Sequence, residues 1–187
     1  DWQSIFDITY EDIEWADTGM RFNEQRWNEY REKYPRGQII HHYGNEQWTK
    51  TALLDPLVIV ASDAMPIVST QQKVHPRGIG TFSRVLTRYT NTTATNEKLT
   101  LGEALKKMTL MPAQRLEKLS GAFVKKGRLR TGFDADITVF DPIIITDRAT
   151  FKAPTQPSEG IRYVMVGGVM VIKDGKLTGN TPGKLIL

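Results

Sequence analysis

The sequence contains no cysteine and only three histidines among its 187 residues. The lack of cysteine excludes disulfide bonds and thiolate metal ligands within this sequence. The histidines are His41, His42 and His75, and none of them forms a His-x-His pair. A structural or catalytic zinc site needs three or four ligands, so these residues alone do not define one.

Long apolar runs are also missing, since no uninterrupted apolar segment approaches 18 residues. We therefore expect no membrane-spanning helix and no membrane partner. Apolar residues make up 40% and charged residues 25% of the chain, which is enough to form a core and is not typical of a disordered protein. We expect a cytoplasmic protein, although a signal peptide cannot be assessed from a sequence that begins with Asp1.

Charge is distributed unevenly along the chain. Residues 1–34 hold nine acidic and four basic side chains, whereas residues 71–130 hold thirteen basic and three acidic ones. A basic segment with interspersed aromatic residues is compatible with nucleic-acid binding, but no nucleic-acid motif accompanies it. Most of these charges recur at helical spacing, as on a solvated helix face. We expect no nucleic-acid partner and a positive field that attracts an anionic substrate.

The run from Leu57 to Ala61 is apolar without interruption and ends at Ser62–Asp63. Such a run predicts a strand that is covered on both faces, as in a parallel sheet. A carboxylate at the C-terminal end of a barrel strand lies where barrel enzymes place catalytic groups. The alternative is that Asp63 caps a turn. A polar loop carrying His75, Pro76, Arg77 and Gly78 follows.

Several helices are predicted around this run. Asn23 is a candidate N-cap for a helix that reaches about Lys33, with Phe22 and Trp27 at the spacing of a hydrophobic staple. A short strand at 37–43 and a helix at 46–54 precede the Leu57 strand, which gives a βα repeat of the barrel type. Further helices are predicted over 82–89, over 101–111 with Thr100 and Glu103 as a capping box, and from Pro112 onward.

Alternating apolar residues predict strands at 136–140, 161–166 and 169–173, with a tight hairpin at Gly167–Gly168. Three aspartates lie near the first of these strands, namely Asp134, Asp136 and Asp141. They could form a calcium loop, but the spacing and the terminal glutamate of such a loop are missing. Turn and strand-edge positions are the favoured interpretation. His41 and His42 point to opposite faces of their strand, so at most one of them can face a site.

Five blocks of the sequence resemble the D-aminoacylase (N-acyl-D-amino-acid deacylase) branch of the amidohydrolase superfamily. They are ASDAMP at 61–66, HPRGIGTFSRVLTRY at 75–89, LTLGEALKKMTLMPAQRL at 99–116, GFDADITVFDP at 132–142 and RATFKAPTQPSEGIRYVMVGGVMV at 148–171. The blocks are long and ordered, and the similarity begins at about Trp27. One departure is Ala64, since the family usually has glycine after the aspartate.

The resemblance implies an α/β fold. Residues 1–120 would form the last strands and helices of a (β/α)8 TIM-like metal-dependent hydrolase barrel, and residues 121–187 the C-terminal half of a small β-sandwich. The family's His-x-His pair, its later histidines and its cysteine ligand are absent from this sequence. We therefore expect a C-terminal segment whose partner is the N-terminal remainder of the enzyme, on the same chain or on another.

The resemblance also implies roles for two residues. Asp63 would be the catalytic aspartate that accepts a proton from the metal-activated water, and also a metal ligand, with one or two Zn²⁺ ions held mostly by residues outside this segment. Arg77 would bind the free carboxylate of the substrate, because a guanidinium can donate two parallel hydrogen bonds. A structural arginine that fixes the loop is the alternative for Arg77. We expect His75 to shape the loop rather than to bind metal.

The implied activity is zinc-dependent hydrolysis of small-molecule N-acyl-D-amino acids to a carboxylic acid and a D-amino acid. We expect this segment to be inactive without its remainder. Two alternatives stay open. One is a cyclic-amide hydrolase of the dihydroorotase or hydantoinase type, and the other is a non-catalytic assembly subunit.

Overall fold

The computed structural model describes residues 2–69, 74–90 and 98–186. Its helices α1 to α6 are Trp2–Phe6, Glu24–Lys33, Glu46–Leu54, Arg77–Thr90, Leu101–Met108 and Leu110–Leu116. Its strands β1 to β6 are Ile13–Trp15, Ile39–His41, Ile137–Phe140, Ile161–Val166, Val169–Lys173 and Lys176–Leu177. Within the described ranges, no helix is long and apolar enough to cross a membrane.

The N-terminal part is organised around an aromatic cluster. Strands β1 and β2 pair antiparallel, and Ile13, Trp15 and Phe22 form a small core beneath helix α2. The Asn23 side chain accepts the Arg26 N–H at 2.9 Å, which confirms the predicted N-cap. The ring centroids of Phe22 and Trp27 lie 5.6 Å apart, so the predicted hydrophobic staple is confirmed as well.

The predicted strand at Leu57–Ala61 is wrong. Among the described residues this segment belongs to no sheet, and Leu57 lies in a turn and is 86% exposed. Both sheets of the described residues are antiparallel, so the predicted parallel βα repeat is not formed, and β2 pairs with β1 instead. An apolar run becomes a strand only when a neighbouring strand accepts its backbone hydrogen bonds, and no such neighbour lies beside 57–61 among the described residues.

Helix α4 is the centre of the larger core. Val85, Leu86 and Tyr89 are buried on one face, as the predicted amphipathic pattern requires, whereas Phe82 is 43% exposed. The helix begins earlier than predicted, so Arg77 and Gly78 lie in its first turn and not in a loop. Residues 70–73 of the predicted polar loop lie outside the described residues.

The following helices are fixed by local capping. The Thr100 hydroxyl accepts the Glu103 N–H at 3.2 Å, and the Glu103 carboxylate accepts the Thr100 N–H at 2.8 Å, which confirms the predicted capping box. The predicted helix 101–111 ends at Met108, because Thr109 leaves helical geometry with φ −129° and ψ −72°. Pro112 lies in the first turn of the next helix, as predicted.

Strands β3 to β6 form an antiparallel meander in sequence order. Gly167 and Gly168 have φ values of +55° and +81°. They form the tight β4–β5 hairpin that two consecutive glycines between apolar segments predict. Asp136 accepts the Gly167 N–H at 2.7 Å, and Lys126 forms ion pairs with Asp134 and Asp136. These aspartates therefore have structural contacts, as expected from turn and strand-edge positions.

One core crosses the boundary predicted at residue 120. Ile145 is buried with Leu86 and Tyr89 of α4, and Phe140 and Ile161 of the sheet pack against the same cluster. The buried Asp147 carboxylate accepts the Arg84 Nε–H at 2.6 Å and links the loop after β3 to α4. The division into domains 1–120 and 121–187 stays a prediction.

Gly80 allows the close approach of α4 to Asp147. A Cβ at Gly80 would meet the carboxylate of Asp147, which Arg84 and the Ala149 N–H hold in place. We predict that Gly80→Ala destabilises the protein by about 1–3 kcal/mol, because the added methyl overpacks this contact. The measurement is urea unfolding of the complete protein.

Gly102 is the matched control for Gly80. It also lies in a helix, but a Cβ there would meet nothing within 4 Å. Gly102→Ala should be neutral or stabilise the protein by up to about 1 kcal/mol, because alanine has the better helix propensity. Equal effects of the two substitutions on the free energy of unfolding would contradict the packing argument.

Candidate functional site

Asp63 lies in the connection between the 57–61 segment and α4, with φ +48°. Among residues other than glycine, aspartate is one of the few that tolerate this left-handed conformation. Its side chain is 83% exposed and lines a cavity. The carboxylate is therefore accessible to water or to a substrate, and it does not serve as a buried turn cap.

Arg77 meets Asp63 from the first turn of α4. Its Nε–H donates to the Asp63 carbonyl oxygen at 3.1 Å, and its Nη2–H donates to Asp63 Oδ2 at 2.5 Å. The structure thus brings together the two residues for which the resemblance implies a role. The contact with the carbonyl oxygen also fixes the backbone across 14 residues, which is the loop-supporting role considered as the alternative.

The cavity beside this pair has a volume of about 540 Å³. Asp63 and Arg77 are the charged residues of its described lining, and most of the remaining wall is apolar. The larger apolar and aromatic lining residues are Ile39, Ile40, Tyr43, Met65, Pro66, Ile67, Val74 and Phe151. Ala64, the departure from the family pattern, lies on the same wall. The cavity can therefore surround an apolar group next to one cation and one carboxylate.

His75 orients the start of α4. Its Nδ1 accepts the Arg77 N–H at 3.1 Å, and its ring packs against Phe151 with centroids 5.0 Å apart. Burial lowers the pKa of His75, and the nearby cations Arg77 and Arg84 lower the same pKa further. A neutral imidazole fits the acceptor role, since the Nδ1 lone pair takes the helix N–H. The structure places His75 in the loop-shaping position that we expected.

The other two histidines have different environments, as their consecutive positions predict. His41 lines the cavity, whereas His42 packs on Phe151 at 4.7 Å and its Nε2 lies 3.0 Å from Glu14 Oε2. Phe151 is thus held between His42 and His75. Phe151 lies in the block at 148–171, but no spacing pattern singles it out, because it is a lone aromatic residue in a polar loop.

The residues of this site do not fit a complete metal centre. Among the described residues, no group of three or more histidine, cysteine, aspartate or glutamate side chains could hold a metal ion. Asp63 offers one exposed carboxylate, whose Oδ2 is occupied by Arg77. The described residues therefore do not form a metal site by themselves, and Asp63 is the carboxylate that they could offer to a site completed by other residues.

Comparison with known proteins identifies the class to which this arrangement belongs. A model of the amidohydrolase family matches residues 57–172, the region that contains Asp63, Arg77 and Phe151. Since this match covers more than half of the sequence, the chain belongs to the amidohydrolase family. Its relatives place it in the D-aminoacylase branch of that family.

Two curated relatives come from Alcaligenes xylosoxydans xylosoxydans. The chain is 39% identical over 133 residues to an N-acyl-D-aspartate deacylase, and the alignment covers 70% of this chain and 24% of that protein. It is 34% identical over 155 residues to a D-aminoacylase, covering 83% of this chain and 30% of that protein. The chain thus spans about a quarter to a third of the length of these relatives.

Solved structures agree with this assignment. A crystal structure of a D-aminoacylase superposes with a TM-score of 0.73 at 28% identity, covering 90% of this chain and 35% of that one. The N-acyl-D-glutamate deacylase of Bordetella bronchiseptica, solved with zinc and a phosphonate mimic of the tetrahedral intermediate, superposes with a TM-score of 0.67 at 30% identity, covering 90% and 37%. Another similar structure concerns the binuclear metal centre of a D-aminoacylase.

The environment of His75 leads to a prediction. Because burial is the main cause of its lowered pKa, Phe151→Ala should raise the pKa of His75 toward its ordinary value by admitting water to the ring. NMR titration of the imidazole measures this shift. Phe82→Ala removes a phenylalanine of similar exposure from α4 and should leave the His75 titration unchanged. A His75 pKa that is the same in both variants would show that Phe151 does not shield the ring.

Proposed function

We propose that this chain is part of a metal-dependent amidohydrolase that cleaves the amide bond of N-acyl-D-amino acids, giving a carboxylic acid and a D-amino acid. The observation that carries the proposal is the Asp63–Arg77 pair on the wall of an otherwise apolar cavity. The pair lies within the family match, and the curated relatives are named as deacylases of N-acyl-D-amino acids or as D-aminoacylases.

The finer architecture belongs to the same proposal. Residues 1–120 contribute the last helices and strands of a (β/α)8 barrel, and residues 121–187 contribute half of a β-sandwich, which includes the β3–β6 meander. The metal is Zn²⁺, as one or two ions, because zinc and a binuclear centre occur in similar structures. The remainder of the enzyme supplies nearly all of the ligands, since the described residues form no metal cluster of their own.

Asp63 is the proton-transfer group of this proposal. When bound, the metal supplies a water of lowered pKa and polarises the scissile carbonyl. The exposed Asp63 carboxylate accepts a proton from water in the cavity and returns it to the departing nitrogen. Its contact with Arg77 holds the carboxylate at the cavity wall.

Arg77 can hold Asp63 and a substrate carboxylate at the same time. A guanidinium presents two donor edges, and the Nε–Nη2 edge is directed at Asp63. Nη1 has no hydrogen-bond acceptor among the described residues, and the side chain is 44% exposed. The Nη1–Nη2 edge is therefore available for the free carboxylate of an N-acyl-D-amino acid, which makes loop support and substrate binding compatible.

The alternatives have less support. A cyclic-amide hydrolase shares the fold and the aspartate, but the curated relatives that match this chain act on N-acyl-D-amino acids or are D-aminoacylases. A non-catalytic assembly role does not require an exposed carboxylate at a cavity wall, whereas a catalytic role does. The kinetics of Asp63 and Arg77 variants separate a catalytic site from a purely structural one.

The first prediction concerns Asp63→Asn in the complete enzyme. The amide keeps the shape of the side chain and can still accept from Arg77, but it cannot take up a proton. We expect kcat to fall by about 10²–10⁴-fold, with a smaller change in KM. Steady-state kinetics with an N-acetyl-D-amino acid and metal analysis of the same samples measure this. A near-normal kcat with unchanged metal content would remove Asp63 from the catalytic step.

The second prediction concerns Arg77→Lys and Arg77→Ala. Both variants lose the contact with Asp63, so kcat should fall for any amide substrate. Loss of the carboxylate contact should add a penalty for N-acetyl-D-amino acids alone. For the alanine variant this extra loss in kcat/KM is about 30-fold, since truncating one partner of a charge pair costs 2–5 kcal/mol and Arg77 is partly exposed.

The control for Arg77 is a substrate whose carboxylate has been converted to an amide. The ratio of kcat/KM for the acid to that for its amide should fall in both variants, and further for alanine than for lysine, because lysine keeps the charge but loses the paired geometry. Equal losses on the two substrates would assign Arg77 to loop support only.

A further inference from the structure

Lys107 is a buried lysine that the proposed reaction does not use directly. It lies in α5, and it is only 4% exposed, while its neighbour Lys106 is exposed. Its Nζ donates to the carbonyl oxygens of Asp55 and Val58, the latter at 2.9 Å. A buried ammonium is costly unless its donors are satisfied, so a lysine at this position has a specific task.

The contacts between Lys107 and the segment before Asp63 are reciprocal. The Val60 N–H donates to the carbonyl oxygen of Lys107 at 3.1 Å. The start of the same segment is fixed by a turn, in which the Leu57 N–H donates to Asp55 Oδ1 at 2.8 Å. Backbone groups of residues 55, 57, 58 and 60 are thereby satisfied without a sheet.

These contacts hold the segment among the described residues, where it has no strand ladder of its own. Residues 57–61 pair with no strand among the described residues, yet they lead within a few residues to Asp63, whose left-handed backbone must be held. Val60 also buries its side chain in the core, so the segment is fixed by one apolar anchor and by Lys107.

We propose that Lys107 is a positioning residue that holds the 55–60 segment and thereby places the Asp63 carboxylate at the cavity. The catalytic consequence rests on the proposed function, whereas the effect on the segment does not. Arg77, on α4, positions Asp63 directly. Lys107, on α5, positions the segment that precedes Asp63.

The test compares Lys107→Met with Lys106→Met in the complete enzyme. Methionine is close to lysine in length but donates no hydrogen bond, so the carbonyl oxygens of Asp55 and Val58 lose the ammonium donor in the first variant. We expect kcat to fall by about 10–100-fold in Lys107→Met, because small misplacements of a catalytic group have effects of this size. KM should change little, since Arg77 stays on α4. Lys106→Met should keep both constants within about twofold.

Backbone hydrogen exchange gives a readout that does not depend on activity. Amides of residues 57–63 should exchange faster in Lys107→Met than in the wild type or in Lys106→Met, with the rest of the core unchanged. If the wild-type enzyme hydrolyses no N-acyl-D-amino acid, the proposed function fails, and exchange at 57–63 still decides the role of Lys107.

Several results would overturn the proposal. One is unchanged kcat together with unchanged exchange at 57–63. Another is faster exchange throughout the core with a parallel loss in kcat and a rise in KM, which is the behaviour of a general stability residue. If Lys107→Met does not fold, Lys107→Gln, which keeps a shorter donor, should show intermediate exchange at 57–63. Wild-type exchange in that variant, or its failure to fold, also overturns the proposal.

Discussion

The contact of Arg77 with both the carbonyl oxygen and the carboxylate of Asp63 is the interaction on which the site depends. It joins the connection that follows residues 57–61 to the first turn of the helix that organises the core. The same helix reaches the β3–β4 connection through the Arg84–Asp147 ion pair, and it carries the buried face that packs on Ile145. Helix α4 therefore connects the core to the cavity wall and fixes the position of Asp63 relative to the core.

Features that depend on neighbouring residues in the chain could be predicted from the sequence. The Asn23 cap, the Thr100–Glu103 capping box and the Gly167–Gly168 hairpin each need only a few consecutive residues, and all three are confirmed. The Leu57–Ala61 strand could not be predicted correctly, because its formation needs a partner strand that the described residues do not provide. The pattern indicates an apolar segment, and tertiary context decides whether it becomes a strand.

The candidate site also combines features that could be predicted from the sequence with features that could not. The end of the apolar run indicates Asp63 as a candidate, and the family resemblance implies roles for Asp63 and Arg77. The structure adds that the two residues form a pair and that one donor edge of Arg77 stays available. Lys107 was not found from the sequence, because a lysine beside Lys106 on a basic helix is typical of a solvated face. Its burial follows from the docking of residues 55–60 on α5, which no local pattern encodes.

The most direct test of the proposed site is a crystal structure of the complete protein with a phosphonate analogue that retains the α-carboxylate of an N-acyl-D-amino acid. We expect Arg77 to keep Nε and Nη2 on Asp63 while Nη1 lies within about 3.2 Å of the α-carboxylate. A guanidinium that contacts Asp63 alone, with the α-carboxylate bound by other residues, would contradict the shared use of Arg77.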